Sequence, residues 1–494
     1  MGVRSEVSMQ SSGEAIEPLG EFSLDEDLHV GTRLCFTVGH DSRIPKLGAP
    51  IRLKVTQDEG EGVHELEALL WCQAIHRLRT PGGAVVQIVA TDPLGFCSIQ
   101  RQFTSHAGRM PLLDLTKRVL SRQPGSLAEL PAFGTSPTIP MEWLLQDGET
   151  GRSFLTRVAR EMGYLIFWSR SQMQLGRIGS GPTEEADELS LDFDSGVIDM
   201  DEADGADLDD QRLVSIDPET RAVYAEMIAG QGLGGRSGGA PLPLRVASQL
   251  RPTLAMCRPE AEPHTWGPRV VARTTRPDVI LGRPVRLCGG PEMMVIRVHH
   301  TFHAGGSCAN TFFAGKRNWW ALGGSARSMP VDVLQARVVR NDDPNGQQRV
   351  RVVLVEDPDA RPTPWIQVVA PAAGPGTGIY WLPEVGDLTL VIQASSSPES
   401  LYCLGSLRGR EQQASREWRS DDNAWKILSL RDGVWIGAND KTGSIRFQTP
   451  ESWMELGRDG IRMGGPSLTG EMSGAVKMRG GGEMVLDGSI VRIG

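Results

Sequence analysis

The chain has 494 residues and a formal net charge of −10 at pH 7. At about 100 to 200 residues per domain it is too long for one hydrophobic core, so several cores in series are expected. An acidic chain also lacks the cationic surface that neutralises phosphates, which argues against nucleic acid as a partner.

The 58 glycines and 32 prolines, against 6% aromatic residues, favour short strands and turns over long helices, because both residues punctuate regular structure. The seven cysteines (Cys35, Cys72, Cys97, Cys257, Cys288, Cys308 and Cys403) are scattered and form no Cys-x-x-Cys pair. That pattern reads as reduced cytosolic thiols. Met1 to Gly20 is polar and acidic, and no later run approaches the roughly 18 apolar residues that span a bilayer. Cytoplasmic assembly without a signal peptide is therefore expected.

In chain order, a flexible tail over 1–20 precedes a series of strands. Leu34 to Val38, Ile51 to Val55 and Ala84 to Val89 alternate or run apolar between Gly, Pro and Asp punctuation. Leu112, Leu115 and Val119 fall at helical spacing, as do Phe154, Val158 and Met162. Thr150 is placed to cap the second of these helices and Gly163 to stop it. From Thr183 to Gln211 the chain is strongly acidic, with no Lys or Arg. Self-repulsion predicts a solvated excursion there; a calcium site is the alternative, though the spacing does not match an EF-hand loop.

Further strands are expected at Val279 to Leu281, Val285 to Leu287 and Met293 to Phe302, ending near Trp319 and Trp320, before a break at Gly323-Gly324-Ser325. Over 331–407, five short runs fit a small OB-type barrel: 335–339, 349–355, 365–369, 388–392 and 401–404. A charged linker, 408–424, leads into 425–494. There, very short alternating runs (444–448, 461–463, 476–478, 484–486, 491–493) are separated by Gly457, Gly460, Gly464, Gly480 and Gly488. Each run offers two or three apolar residues on one face, too few for a core within one chain. Stacking in a β-solenoid, or wrapping with identical chains, would supply the burial, and the methionines at 454, 463, 472, 478 and 484 suit a narrow shared axis.

The stretch Val338-Val339-Arg340-Asn341-Asp342-Asp343-Pro344-Asn345-Gly346, with Arg349, then Trp365-Ile366-Gln367-Val368, then Pro383-Glu384-Val385-Gly386-Asp387, resembles the OB domain of VgrG and phage spike proteins. More loosely, Glu149 to Arg157 resembles a helix of that family's tail hub. Val298 to Phe302, followed by Asn310 to Ala314, resembles its closing strands. The resemblance implies a mainly β protein: tail-hub β-barrel subdomains with short helices over 21–325, an OB-fold barrel over 331–407, and a C-terminal trimeric, intertwined β-helix needle over 425–494.

It further implies a homotrimeric hub and spike of a contractile injection system, either type VI secretion or a phage-tail-like particle. Such a spike adapts an inner tube protein to a membrane-piercing needle among baseplate proteins, and it is released or fired through the envelope. Effector cargo, a PAAR-type tip protein and transient contact with a target membrane are the implied partners. Asn341, Asp343, Gly346, Arg349, Trp365, Pro383, Gly386 and Asp387 would form the collar motif, and Val491, Arg492, Ile493 and Gly494 the docking surface for a tip. The short 408–422 linker leaves no room for a lysozyme insertion, and the last histidine is His303, so no His-x-His metal tip follows.

Other motifs carry less. Gly235-Arg236-Ser237-Gly238-Gly239 matches a nucleophile elbow, and Gly230, Gly232 and Gly235 spell G-x-G-x-x-G, but neither has the strand and helix that the chemistry needs. His299, His300 and His303 point to alternate faces of one strand, which suits a structural role better than a metal site. Trp365 and Trp381 could stack bases but lack basic neighbours. The expectation is no enzyme activity, no cofactor and no metal. An envelope-degrading phage-type hub and an OB-fold ligand binder are the alternatives.

Overall fold

Alternating apolar and polar residues make strands because successive side chains point to opposite faces of a sheet, and this chain is built largely that way. The computed structural model describes residues 4–58, 62–80, 83–122, 136–169, 171–177, 181–182, 187–203, 211–216, 223–228, 243–245, 269–303, 306–316, 332–374, 377–393, 401–408, 422–477, 479, 481–483 and 485. Two compact units divide at Leu407 and Arg408.

In the first unit β1 (Arg4–Ser11), β2 (Glu14–Ala15), β3 (Glu21–Asp27), β4 (Gly31–Gly39), β5 (Pro50–Asp58), β6 (Val63–Thr80) and β7 (Gly83–Thr91) precede a one-turn helix, α1 (Pro93–Phe96). Then come β8 (Arg101–Ala107), α2 (Leu112–Leu120), β9 (Trp143–Thr150), α3 (Gly151–Glu161), β10 (Tyr164–Ser169), β11 (Gln172–Arg177) and β12 (Gly181–Pro182). The acidic stretch holds β13 (Leu189–Leu191) and β14 (Val197–Ala203), and β15 (Gln211–Ile216), β16 (Val223–Ile228) and β17 (Pro243–Arg245) make a small separate sheet. Four strands close this half: β18 (Arg269–Thr274), β19 (Pro284–Leu287), β20 (Glu292–His303) and β21 (Cys308–Lys316).

The main sheet runs β14-β18-β21-β20-β3-β4-β7-β6-β5-β1-β2, with β13 and β19 paired beside β20. It serves two cores. Phe22, Leu24, Leu34, Phe36, Ile51, Leu53 and Ile88 pack with the helices in the first, and Val270, Val285, Val295, Val298 and Phe312 fill the second. β20 joins them, pairing with β3 on one side and β21 on the other. Burying each such side chain contributes about 1.5–3 kcal/mol.

Both predicted helices form. The Thr150 hydroxyl accepts a hydrogen bond from Ser153 N at 3.2 Å, satisfying one orphan donor of α3. Leu112, Leu115, Val119, Phe154, Leu155 and Val158 are its buried stripe together with that of α2.

Three expectations change. Residues 4–16 are not a flexible tail, since β1 pairs with β5 along its length and Met9 and Ile16 are buried in the first core. The acidic stretch is not simply a solvated excursion: Leu189, Leu191 and Val197 are buried in the second core. Arginines on partner strands offset the self-repulsion, with Arg273 on Asp199 at 2.9 Å and Arg286 on Glu188 at 2.9 Å. Val279 to Leu281 forms no strand, although Val279 and Leu281 are buried, since Pro277 before it and Gly282 after it (φ +73°) interrupt pairing. Trp319, Trp320 and the break at 323–325 lie outside the described residues.

The barrel comprises β22 (Asp332–Arg340), β23 (Arg349–Leu354), β24 (Ile366–Val368), β27 (Leu388–Gln393) and β28 (Leu401–Ser406), closed in the order β22-β23-β24-β28-β27. A small hairpin, β25 (Ala373–Gly374) and β26 (Thr377–Gly378), projects between β24 and β27. Closure removes strand edges, and Ala336, Val338, Val350, Val352, Val391 and Cys403 fill the interior.

The second unit is an antiparallel meander of β29 (Trp425–Ser429), β30 (Trp435–Asn439), β31 (Ser444–Gln448), β32 (Trp453–Gly457) and β33 (Gly460–Gly464). The run at 476–477 forms no strand, and the runs at 484–486 and 491–493 fall largely or wholly outside the described residues.

Candidate assembly surfaces

The collar residues converge on one end of the barrel. Asp343 opens the β22–β23 connection, where its carboxylate accepts hydrogen bonds from Asn345 N (3.1 Å) and Gln347 N (3.0 Å). Gly346 takes φ +66° in that turn, a conformation that suits glycine. The Arg349 guanidinium then grips the carboxylate at two points, 2.9 and 3.0 Å, and this side-chain hydrogen bonding holds the Asp343 carboxyl down to about 2.

A second loop locks onto the first. Asn341 donates to the Pro383 carbonyl at 3.0 Å. Gly386, at φ +97°, donates its N–H to Val338 O at 2.8 Å, and Val338 N returns a bond to Asp387 O at 2.9 Å. The Asp387 carboxylate accepts from Glu384 N (3.1 Å) and Ser406 Oγ (2.7 Å). Arg340 lies over the Trp365 ring, 5.2 Å from its centre. Asn341, Asp343, Gly346, Arg349, Pro383, Gly386 and Asp387 are thus brought together by hydrogen bonds that close this end of the barrel. Trp381 is exposed beside Tyr380 and Ile379.

Sequence reasoning does not find the joint between the hub half and the barrel. The two-stranded β8–β9 ribbon has apolar side chains on both faces: Leu144 enters the first core, while Phe103, Trp143 and Leu145 enter the barrel core. The signal was available in Trp143-Leu144-Leu145, since an unbroken apolar run marks a strand buried on both faces. A barrel loop clasps the ribbon, with Asp357 accepting from Ser105 N (3.2 Å) and Ser105 Oγ (2.5 Å), while Asp359 accepts from Arg122, just after α2 (3.0 Å).

The C-terminal meander sorts its side chains by register. One row across the sheet is Leu428, Ile436, Phe447, Met454 and Met463, and the next holds Ala438, Ile445, Leu456 and Ile461. Of these, Leu428 (59%), Ile445 (48%), Ile461 (65%) and Met463 (56%) are strongly exposed. On the opposite face Arg446 sits between the rings of Trp435 and Trp453 and meets Glu455 at 3.6 Å. A groove of about 520 Å³, lined by Trp435, Phe447, Trp453, Met454, Met463 and Leu468, adjoins the apolar rows.

The histidines of β20 divide by face. His300 is buried between Glu26 (3.2 Å) and Asn310 (2.8 Å), while His299 meets Asp25 (2.5 Å) and His303 meets Glu21 (3.7 Å). Among the described residues, no group of three or more His, Cys, Asp or Glu side chains could hold a metal ion. Ser237, the glycines at 230–239 and the tip residues Val491 to Gly494 lie outside the described residues.

Residues 334–407 match the family model of the type VI secretion system/phage-baseplate injector OB domain. The E. coli c3393 protein, a type VI secretion component with structural similarity to the T4 tail proteins gp27 and gp5, covers 81% of this chain and 99% of its own, at 13% identity and TM-score 0.50. The chain carries the injector OB domain and the fold of the VgrG and phage hub-spike family. The half-lidded Francisella PdpA-VgrG complex shares the hub-spike fold over 94% of this chain and 88% of its own, at 9% identity and TM-score 0.57. A lidless PdpA-VgrG complex does so over 94% and 98%, at 10% and 0.55. At these identities the likeness is one of fold. No curated protein sequence is matched.

Proposed function

We propose that the chain is the homotrimeric central hub and spike of a contractile injection system, with a mechanical rather than an enzymatic role. The observation that carries this reading is the apolar face of the C-terminal meander. An exposed face this rich in Leu, Ile, Phe and Met is a surface for burial against another chain. Three copies supply that burial around one axis, with symmetric closure limiting growth. The hub-spike fold and the injector OB domain support the assembly context: an inner tube protein behind, baseplate proteins around, and a needle ahead.

The non-enzymatic part rests on how the motif residues are used, because Asp343, Arg349 and Asp387 are all engaged in closing the barrel. In this reading the chain assembles in the cytoplasm, docks a PAAR-type tip protein on Val491 to Gly494, and carries effector cargo to a target membrane.

Light scattering of the full chain at micromolar concentration tests the trimer. We expect three times the chain mass, falling to one for a variant combining Phe447→Glu and Ile461→Glu, because each buried unpaired carboxylate costs about 3–5 kcal/mol. A wild-type monomer over that range would overturn the proposal.

A further inference from the structure

The turn between β3 and β4 carries a cluster of charged side chains against α3. Asp27 closes the turn, its carboxylate accepting from His29 N at 2.8 Å and Val30 N at 2.9 Å. Leu28 N donates to Ile296 O on β20 at 3.2 Å, and the Leu28 side chain is buried. His29 is half-buried and meets two arginines of α3. Arg160 Nη2 lies 3.2 Å from His29 Nδ1, and Arg152 Nη2 donates to the His29 carbonyl at 2.7 Å.

A guanidinium has donors and no acceptor. The ring nitrogen facing Arg160 must therefore accept, and it carries no proton while that bond lasts. The approach of Arg152 is built into the chain at Gly31, where a Cβ would collide with Arg152 Nη1 and fall 2.6 Å from Asp92 Oδ2. Asp92 is itself fixed, accepting from Thr32 N at 2.6 Å and Gly95 N at 2.7 Å.

We propose that the β3–β4 turn is an acid-released contact: the neutral His29 ring fastens it to α3, and protonation of that ring frees it. A proton on Nδ1 removes the acceptor that Arg160 uses and sets a third positive charge beside two guanidiniums. The contact lies within one chain, so it operates whether or not the chain forms a trimer. The same helix holds the ribbon that carries the barrel, with Arg157 donating to the Leu145 carbonyl at 2.7 Å. An acidic medium would thus loosen the hub at the helix that steadies the joint.

Both signs of charge face the ring. Arg160 and Arg152 of α3 oppose its protonation, and Asp27 of β3 favours it. Asp27 is shared with Arg297 of β20, 3.8 Å away, and Asp92, ahead of α1, interacts with Arg152. Burial and then Arg160 outweigh Asp27 and bring His29 down to about 4. The contribution of the neutral ring is therefore complete above its ordinary value of 6.5 and is lost as pH falls through about 4. Burial pushes the Asp92 carboxyl up, so Asp92 would tighten this corner in acid and cannot produce the loosening.

The test is hydrogen exchange of the full chain at about pH 5, 6 and 7.5, with intrinsic rates corrected, read in peptides covering the turn and, for reference, in β22 and β23 of the barrel. Exchange in the wild-type turn should rise about tenfold between pH 7.5 and 5, below the roughly 30-fold that the full shift allows, because a half-buried ring is partly screened. His29→Gln, whose side-chain carbonyl accepts from Arg160 at every pH, should exchange slowly throughout. If that variant fails to fold, Arg160→Gln removes the opposing charge, and its turn should change less than about threefold over the same range. Turn exchange that ignores pH in the wild type would overturn the contact, as would a His29→Gln or Arg160→Gln variant that keeps the wild-type slope. An equal rise in β22 and β23 would mark loosening of the whole chain and would also overturn it.

Discussion

Replacing Asp343 or Arg349 should unfasten the barrel end, and the size of the effect follows from burial. The Asp343 side chain is 2% exposed and that of Arg349 is 11%, so the pair lies nearer to a buried ion pair than to a surface one. Exposed pairs contribute about 0–1 kcal/mol, whereas removing one partner of a buried pair costs about 3–5 kcal/mol. The turn around Asp343 is solvent-facing, which places the expected cost of Asp343→Ala at about 2–3 kcal/mol, including the bonds lost to Asn345 N and Gln347 N. Arg349→Met keeps the aliphatic stem and should cost about 2 kcal/mol. Because the two side chains serve one interaction, the double variant should lose about 2 kcal/mol less than the sum of the single losses. Urea unfolding of the full chain, followed in the barrel by hydrogen exchange of β22 and β23, reads each corner of the cycle. The depressed Asp343 carboxyl adds a pH signature: its contribution is complete above its ordinary value near 3.8 and is lost as pH falls toward about 2. A coupling below about 0.5 kcal/mol would refute the reasoning, since the pair would then be behaving as an ordinary surface ion pair.

His106 is stacked on Phe154 at 4.9 Å and is 1% exposed. Burial lowers it to about 4, so it weakens the fold as pH falls from about 6.5 through 4, and His106→Leu should flatten that part of a thermal-stability profile. Thr150→Ala removes the cap of α3 and should cost about 1 kcal/mol in urea unfolding, with Thr150→Ser close to neutral. Asp357→Ala leaves Ser105 N and Oγ without their acceptor. It should cost about 1–3 kcal/mol, and faster exchange in β8 than in β4 would place the loss at the joint.

The OB barrel is legible in the sequence because its closure depends on local chemistry. Asp343, Gly346 and Arg349 fall within one turn, and Pro383 to Asp387 within another, so each carries its own signature of turn residues. The helices are legible for a similar reason, since cap and apolar stripe lie within a dozen residues. The acidic stretch misleads because its net charge is read locally, whereas its neutralising partners Arg273 and Arg286 come from strands about 70 to 100 positions away.

The same distinction explains why the joint is hidden while the barrel is not. A strand whose two faces enter different cores gives no alternation, and Trp143-Leu144-Leu145 by itself cannot say that the cores it enters are those of Val338 and Phe154. Residues that close a turn declare themselves by type and spacing. Residues that couple two domains are ordinary in sequence and become informative only through the charge that surrounds them. A force-bearing spike depends on such couplings, because stiffness within each barrel is of little use if the connection between barrels yields first. In this chain that connection is the β8–β9 ribbon, held to the barrel by the bonds of Ser105 to Asp357.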